Sequence, residues 1–327
     1  MRRREFFTLL GGVAAAGARP LYAHAQGSLK VWRIGILDTT SAKSANVEAF
    51  RNALSQLGYV GGQNLIIEYR SGEGRIGRFP ELAAELVGLK VDIIVTRGTP
   101  AVIAAGNATK TTPIVMAAIG EPLETGMVAS LARPGGNVTG LSAFVTELTA
   151  KRIEIMRELM PLMSRIALLD NMENRSVPPQ WEEMKNAALA LGIRPQLCDV
   201  HKPEDIEDAF NTALAERADA LSVGNDSVVI ASRHQIAELA AKHRLPTIYA
   251  TREFVDVGGL LCYAANYSDL YRRAASYVDK IFKGAKPGEL PVEQPAKFEL
   301  VINLKTAKAP GITVPYSLLA RADELVE

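Results

Sequence analysis

The chain alternates between two patterns of apolar and polar positions from Lys30 almost to its C-terminus. Short, nearly continuous runs of Val, Ile, Leu and Ala alternate with longer stretches that repeat apolar residues every three or four positions. The first pattern is typical of strands buried on both faces, and the second of amphipathic helices. The predicted strands are Val31–Leu37, Leu65–Tyr69, Asp92–Thr96, Ile114–Ala118, Val138–Leu141, Arg165–Leu169, Gln196–Val200, Ala220–Val223, Thr247–Ala250 and Leu260–Tyr263.

This alternation of strands and helices predicts an α/β fold with doubly wound, mostly parallel sheets covered on both faces. The ten strands divide into two sets of five at the turn-rich segment Arg133–Asn137. One wide sheet is an alternative, but two lobes joined by a hinge fit the pause around residues 142–146 better. Ligands of open α/β sheets bind beyond the carboxyl ends of the strands, so two facing lobes would enclose a cleft.

The N-terminal 25 residues have the pattern of an export leader. Arg3 and Arg4 are followed by Glu5-Phe6-Phe7 and a modest apolar stretch, and Ala23-His24-Ala25 forms a small-x-small cleavage signal. The stretch is too short for a stable membrane anchor, and the arginine pair indicates the twin-arginine variant. A frayed N-terminal helix is the alternative. The cleavage point lacks a cysteine, so a lipid anchor there is not expected.

The composition limits the classes of partner that this protein can bind. Removing residues 1–25 takes away four arginines and one glutamate, which changes the net charge from +1 to −2. Such a chain lacks the basic excess that displaces counterions from nucleic-acid phosphates. No later stretch approaches the roughly 18 apolar residues of a membrane span. The expectation is a soluble periplasmic protein that does not bind nucleic acid or a membrane.

Cysteine and histidine are sparse. Cys198 and Cys262 both lie in apolar, strand-like runs, where they form either a disulfide or two buried thiols. The histidines are scattered and have no metal-ligand spacing, so neither a metal nor another cofactor is predicted.

Seven segments in order through the chain carry a family pattern. They are Gly58–Val60, Gly62–Asn64, Gly98–Ala101, Arg133–Gly140, Arg252–Val255, Gly258–Leu260 and Lys297–Leu304. With them the chain resembles the periplasmic substrate-binding proteins of ABC transporters, in the branch that includes tryptophan- and tyrosine-type amino-acid binders. The resemblance extends over nearly all of the chain that follows the leader.

The resemblance implies a two-lobed type I binding-protein fold whose chain crosses the hinge several times. The first lobe would contain residues 28–143 with a returning segment at about 266–290, and the second residues 144–265 with about 291–327. It also implies a monomer that delivers a small solute to a permease driven by an ATPase on other chains. The sequence has no phosphate loop of its own for ATP hydrolysis.

An amino-acid ligand would need protein groups that bind its carboxylate. Gly98 and Thr99 lie where a strand ends and a helix begins, and with Ala101 they are the predicted carboxylate cradle, because helix N-termini bind anions. Thr99 as a helix cap is an alternative compatible with that role. Thr139 and Ser142, at or beyond another strand end, are further hydroxyl candidates.

The ligand ammonium would need an acid. Asp226 at a strand end of the second lobe is the first candidate, and capping of the following helix is its alternative. Glu121 and Asp38 are further candidates. Glu121 stands where the family usually has aspartate before proline, and its longer side chain leaves that contact open.

Aromatic faces would cover an apolar or aromatic ligand side chain. Tyr249, Tyr263 and Tyr267 lie at or after later strand ends, with plain packing as the alternative for each. Asn171 begins a ligand-facing loop that departs from the family's asparagine–proline pattern. The mechanism would be ligand-induced closure of the two lobes.

Two other functions fit part of the sequence. Gly72–Gly77 spells the G-x-G-x-x-G of dinucleotide sites, and Arg97 would meet the 2′-phosphate of NADP in an exported oxidoreductase. The motif follows the second strand instead of the first, and no acidic residue ends the next strand. A sensing module for a membrane receptor would share the same fold.

Overall fold

The computed structural model describes residues 30–39, 41–124, 126–309 and 311–327, and the predicted export leader lies outside these residues. The described chain forms two β-sheets. The first has the order β2-β1-β3-β4-β5, and every neighbouring pair in it is parallel. Its strands are β1 (Trp32–Asp38), β2 (Leu65–Ser71), β3 (Ile93–Arg97), β4 (Ile114–Ile119) and β5 (Val138–Ser142).

The second sheet has seven strands in the order β12-β11-β10-β9-β8-β6-β7. They are β6 (Arg165–Asp170), β7 (Arg194–Asp199), β8 (Ala220–Val223), β9 (Thr247–Tyr249), β10 (Leu261–Ala265), β11 (Phe298–Asn303) and β12 (Glu324–Val326). Only β10 and β11 pair antiparallel among these described strands.

The sequence predicted all strands of the first sheet but only five of the second. The two additional strands come from the C-terminal segment. Strand β12 is short and largely exposed, so it lacks the continuous apolar run by which buried strands are recognised. The predicted α/β architecture with two mostly parallel sheets is otherwise confirmed.

The helices cover both sheets, and short 3₁₀ turns lie between them. The helices are α1 (Ala45–Gln56), α2 (Phe79–Gly88), α3 (Thr99–Ala108), α4 (Val145–Leu159), α5 (Val177–Ala190), α6 (Ile206–Ala215), α7 (Ser227–Ala231), α8 (Arg233–Lys242), α9 (Tyr267–Phe282), α10 (Leu304–Lys308) and α11 (Tyr316–Leu319). Ser44 caps α1 by accepting a hydrogen bond from the Val47 N–H, and Asn266 caps α9 in the same way at Asp269.

The chain passes between the sheets more than once. It leaves the first sheet after β5, and α4 then packs in the core of the second sheet through residues such as Met156. Helix α9 returns and packs against α1 and β4, with Tyr271 in the core of the first sheet. We call the first sheet with α1–α3 and α9 the first lobe, and the second sheet with its helices the second lobe.

Two smaller observations bear on the sequence expectations. Cys198 and Cys262 are both buried free thiols, so the disulfide alternative is wrong for this structure. Among the described residues, no helix has the length and apolar character needed to cross a bilayer.

Candidate functional site

A small cavity lies between the carboxyl ends of the strands of the two lobes. Its volume is ≈ 20 Å³, about the space of one water molecule. The first lobe lines it at the ends of β1, β3 and β4, and the second lobe at the ends of β6 and β8. The lining side chains and backbone belong to Thr39, Arg97, Gly98, Thr99, Ala118, Ile119, Gly120, Asn174, Ser176, Asn225, Ile230 and Tyr267. At this cavity the two lobes meet closely enough to leave room for about one water, and we call this arrangement of the lobes closed.

Polar contacts join the lobes beside this cavity. Arg97, the last residue of β3, forms an ion pair of 2.6 Å with Glu253 of the second lobe. Glu253 also accepts a hydrogen bond from the Asn46 side chain at 3.0 Å. At the start of α9, the Tyr267 hydroxyl accepts one from the Asn225 side chain at 3.0 Å, and the Arg97 guanidinium lies 4.8 Å from the Tyr267 ring centre. The guanidinium is thus held by a carboxylate and an aromatic face.

The ion pair determines the charge states of its two members. Burial alone would lower the pKa of Arg97, but Glu253 together with Tyr271 and Asp38 outweighs that effect, and the pKa is raised well above its ordinary value. Burial would likewise raise the pKa of Glu253, and the Arg97 charge and hydrogen bond lower it overall. Both groups are therefore ionised at neutral pH. From the sequence, Arg97 was assigned only to the nucleotide alternative, so its pairing across the lobes was missed.

The N-terminus of α3 presents donors to the cavity. Gly98 has φ of +82° and precedes the helix, so the N-cap position carries no side-chain capping bond and Thr99 is the first helical residue. The Thr99 hydroxyl is buried without a hydrogen-bond partner in the described structure. The same holds for one Arg97 nitrogen, Nη2, and for the Ser227 hydroxyl, which lies 3.9 Å from the position of a β-carbon built on Gly98. Buried donors of this kind cost free energy until an acceptor reaches them.

The side chain of Ala101 points elsewhere. It belongs to the hydrophobic core of the first lobe and is fully buried there. Of the predicted carboxylate cradle, Gly98 and Thr99 line the cavity, whereas Ala101 is not among its lining residues.

Asp226 lies one layer behind the cavity and caps α7. Its Oδ1 accepts from the Val228 N–H at 2.8 Å, and its Oδ2 accepts from the Asn174 side chain at 2.7 Å. Asn171 donates to Asp226 Oδ1 at 3.3 Å. The capping alternative is therefore what the structure shows, and the acid is a positioning residue for Asn174, which does line the cavity.

A second buried carboxylate accompanies Asp226. Asp170, at the end of β6, accepts the backbone N–H groups of Asn171 at 3.0 Å and of Asp226 at 3.3 Å. Burial raises the pKa of both acids, and for Asp170 the Asp226 charge raises it further. Ionising both carboxyl groups of such a buried pair is disfavoured, and the buried Arg152 guanidinium partly offsets this effect for Asp170.

Three of the polar residues predicted for the site form hydrogen bonds within the first lobe or where the chain leaves it. The Thr139 hydroxyl donates to the Leu290 carbonyl at 2.7 Å, and the Ser142 hydroxyl accepts from the Phe144 N–H at 3.1 Å. Glu121 accepts from the Thr146 hydroxyl, and burial raises the pKa of its carboxyl. Each hydroxyl or carboxyl is thus engaged in bonds that hold the chain around β5.

The remaining candidate residues either form a buried hydrogen bond within a lobe or pack in a hydrophobic core. Asp38 accepts from the Tyr271 hydroxyl at 2.6 Å and is fully buried. Tyr249 stacks on Phe254, with ring centres 4.5 Å apart, inside the core of the second lobe. Tyr263 packs against the other core of that lobe. The packing alternative is therefore what the structure shows for Tyr249 and Tyr263, because strand pleating turns these side chains into the lobe instead of toward its edge.

Two facing α/β lobes with a cleft between their strand ends define the chain as a type I binding protein. More closely, the chain belongs to the family of ABC transporter substrate binding proteins, whose sequence pattern matches residues 34–326. Members of this family bind solutes and are not enzymes, so the oxidoreductase alternative is wrong.

Individual relatives agree with this assignment. A protein of Clostridioides difficile (strain R20291) named tyrosine-binding protein is 28% identical over 262 residues, which cover 80% of this chain and 75% of the relative. A conserved domain protein of Vibrio cholerae has a similar structure, with a TM-score of 0.85 and 28% identity, covering 90% of this chain and 100% of that one.

Two further structures bear on the conformation. The ABC domain of Streptococcus pneumonia in complex with L-Trp has a TM-score of 0.84 at 28% identity, covering 91% of this chain and 100% of that one. The ligand-free, open structure of a Clostridium difficile substrate binding protein has a TM-score of 0.64 at 26% identity, covering 90% and 99%. At nearly equal identity, this chain is more similar to the ligand-bound structure, in agreement with its closed cleft.

Proposed function

We propose that this protein is exported to the periplasm, binds an amino acid between its lobes and delivers it to an ABC permease and its ATPase. The family assignment supports the transport role, and the two relatives named for tyrosine and L-Trp support the ligand class. The twin-arginine pattern of residues 1–25 supports export. We infer a monomer with residues 28–143 and about 266–290 in the first lobe, and residues 144–265 and about 291–327 in the second.

The observation that carries the proposal is a set of three buried donors without partners in the described structure, two where β3 ends and α3 begins and one at the start of α7. Thr99 Oγ1, Arg97 Nη2 and Ser227 Oγ belong to side chains that are only about 2% exposed. A ligand carboxylate has enough acceptor lone pairs to satisfy all three, and the helix dipole favours its charge. Between the two lobes this group is shielded from bulk water, and charge-assisted hydrogen bonds are strong in such a place.

The ligand ammonium lies toward the second lobe. Asn174 and Asn225 place amide groups in the cavity wall, and the negatively charged pair of Asp170 and Asp226 lies behind Asn174. Negative potential of this kind favours a cation without a direct carboxylate contact. Tyr267 supplies the aromatic face in the wall for the ligand side chain. The lobes must part to admit a ligand, because the closed cavity holds only about one water.

Ligand analogues that lack one charged group test this arrangement. The chain from Gln26 onward, refolded to remove carried ligand, is assayed by thermal shift with L-tyrosine, L-tryptophan and the branched amino acids. A ligand at a hundred times its dissociation constant adds about 2.7 kcal/mol, which raises the midpoint by roughly 5–10 °C. Tyramine, without a carboxylate, and 3-(4-hydroxyphenyl)propionate, without an ammonium, are the matched controls for tyrosine.

The expected result is a shift with an amino acid and a strongly reduced shift with either analogue. A shift with tyramine equal to that with tyrosine would contradict the carboxylate site. The absence of any shift across the amino acids, with a shift for sugars or nucleosides, would contradict the ligand class.

A further inference from the structure

Gly74 contacts the second lobe from the loop after β2. A β-carbon built on Gly74 would stand 2.6 Å from the β-carbon of Ala231, the last residue of α7. It would also lie 3.7 Å from the Ser227 carbonyl oxygen and 3.7 Å from a side-chain carbon of Pro203. Non-bonded carbon atoms do not approach to 2.6 Å, and the β-carbon of Ala231 has no rotamer by which to move away. A side chain at Gly74 would therefore push the lobes apart.

Gly120 makes an equivalent contact after β4. A β-carbon there would stand 2.7 Å from the β-carbon of Ser176 and 2.9 Å from its hydroxyl oxygen. Gly74 has φ of +77°, whereas Gly120 is not in the left-handed region. At Gly120, therefore, backbone conformation does not demand glycine, and the close approach of the second lobe does.

The two contacts lie toward opposite ends of the first sheet. Gly74 follows β2, the edge strand on one side, and Gly120 follows β4, next to the edge strand β5 on the other. Contacts at both ends limit the rotation as well as the distance between the lobes. Together they determine how far the cleft closes.

We propose that Gly74 and Gly120 are the closure contacts of this protein, at which the absence of a side chain permits the lobes to meet. The loop Gly72–Gly77 then meets the other lobe through Gly74, whereas Gly72 packs against Phe79 within the first lobe and Gly77 has no atom within 4 Å of a built β-carbon. The proposal rests on closure of two lobes, as in the proposed function, and not on the identity of the ligand.

The test measures the distance between the lobes in solution by pulsed electron–electron spin resonance. Labels are attached at Glu81→Cys on α2 and Glu207→Cys on α6, two exposed positions in different lobes. Cys198 and Cys262 are buried, so they do not compete for the label. Distances are recorded without ligand and with L-tyrosine as the probe.

The expected result is a short-distance population in the wild type that falls at least tenfold in Gly120→Ala and in Gly74→Ala. Removing the opposing β-carbon should restore it, in Gly120→Ala with Ser176→Gly and in Gly74→Ala with Ala231→Gly. Variants that keep the short distance would overturn the proposal, as would a failure of both rescues. A wild type with only long distances without ligand, with L-tyrosine and with every other amino acid that raises the thermal midpoint would also overturn it.

Controls separate closure from backbone strain. Gly62 has φ of +78° and no atom within 4 Å of a built β-carbon, so Gly62→Ala carries the strain of Gly74→Ala without its clash. Gly136→Ala lacks both features and matches Gly120→Ala. Both controls should keep the short distance. If the wild type closes without responding to any amino acid, the proposed ligand fails, and the glycine variants still test the closure contacts.

Discussion

The two edges that face each other across the cleft satisfy their buried charges in different ways. On the first lobe, the charge of Arg97 is balanced across the cleft by Glu253 of the other lobe. On the second lobe, the charge of Asp170 and Asp226 is stabilised within the lobe by backbone N–H groups and by the side chains of Asn171 and Asn174. The first arrangement exists only when the lobes are closed, whereas the second is complete in the isolated lobe.

Because of this difference, the closure of the lobes and the organisation of the site can be tested separately. An edge that leaves donors unsatisfied until something reaches them favours both a ligand anion and the opposite lobe. An edge that is satisfied internally is rigid and supplies a fixed potential. Substitutions at the first edge should therefore affect pairing between the lobes, and substitutions at the second should affect stability as a function of pH.

The largest effect is expected from breaking the ion pair between the lobes. Arg97→Met leaves Glu253 buried without its partner, and such a loss costs about 3–5 kcal/mol of unfolding free energy. Arg252→Met is the matched control, because Arg252 pairs with Glu324 in an exposed position, where ion pairs contribute about 0–1 kcal/mol. Urea unfolding of the ligand-free proteins measures both. Equal losses of unfolding free energy in the two variants would contradict a larger contribution from the buried ion pair.

An intermediate effect is expected at the buried acids of the second edge. The pKa of Asp170 is raised in the folded protein, so its contribution to stability is full below the ordinary pKa of Asp and is lost as the pH rises through the folded value. Asp170→Asn should remove this loss and make the protein more stable than the wild type by about 1 kcal/mol at pH 8. Denaturant unfolding between pH 4 and pH 8 measures the difference.

The control variant is expected to show the opposite dependence of stability on pH. Asp219 accepts from the backbone and hydroxyl of Ser164 and from the Arg165 N–H, and these bonds outweigh burial and lower its pKa. Its contribution to stability is present above the ordinary pKa of Asp and is lost as the pH falls through the lowered value. Asp219→Asn should therefore be less stable than the wild type at neutral pH, with the difference shrinking in acid. Parallel pH profiles for both variants would contradict the raised pKa of Asp170.

The smallest effect on stability, with a distinct effect on affinity, is expected at Thr99. Its hydroxyl is buried without a partner in the described structure, so Thr99→Val should not lower the unfolding free energy of the ligand-free protein and should raise it slightly. The affinity for the amino acid identified by the ligand panel should fall about tenfold, or about 1.4 kcal/mol. Thr139→Val is the matched opposite, because that hydroxyl donates to the Leu290 carbonyl and its loss costs about 1 kcal/mol of stability with no change in affinity. Isothermal titration calorimetry and urea unfolding separate the two outcomes.

The secondary structure could be predicted largely from the sequence. A strand buried on both faces requires a continuous apolar run, and a helix on the sheet requires an apolar stripe, so both leave local marks. The C-terminal strands β11 and β12 were missed because their places depend on pairing with strands that do not adjoin them in sequence, β11 with β10 and β12 with β11. The five-stranded first sheet needed no such distant addition.

The positions of the strand ends were also local information, but the roles of the side chains there were not. Gly98 and Thr99 were recognised because a strand end followed by a helix start exposes backbone N–H groups whatever surrounds it. Asp226 and Tyr249 also lie at strand ends, yet one caps a helix and the other packs in the core. Which way a side chain faces depends on the neighbouring elements, and the sequence around it does not specify them.

By itself, therefore, the sequence determined the α/β order and the division of the strands into two sets, because these follow from short-range periodicity and turn residues, and it predicted the strand ends as the edge for a ligand. Only the tertiary structure decided the pairing of Arg97 with Glu253 and the approach of Gly74 to Ala231. Both contacts join residues more than 150 positions apart and exist only when one lobe lies against the other. The local sequence pattern does not specify the relative position of the two lobes, because that position is reached only when the cleft closes.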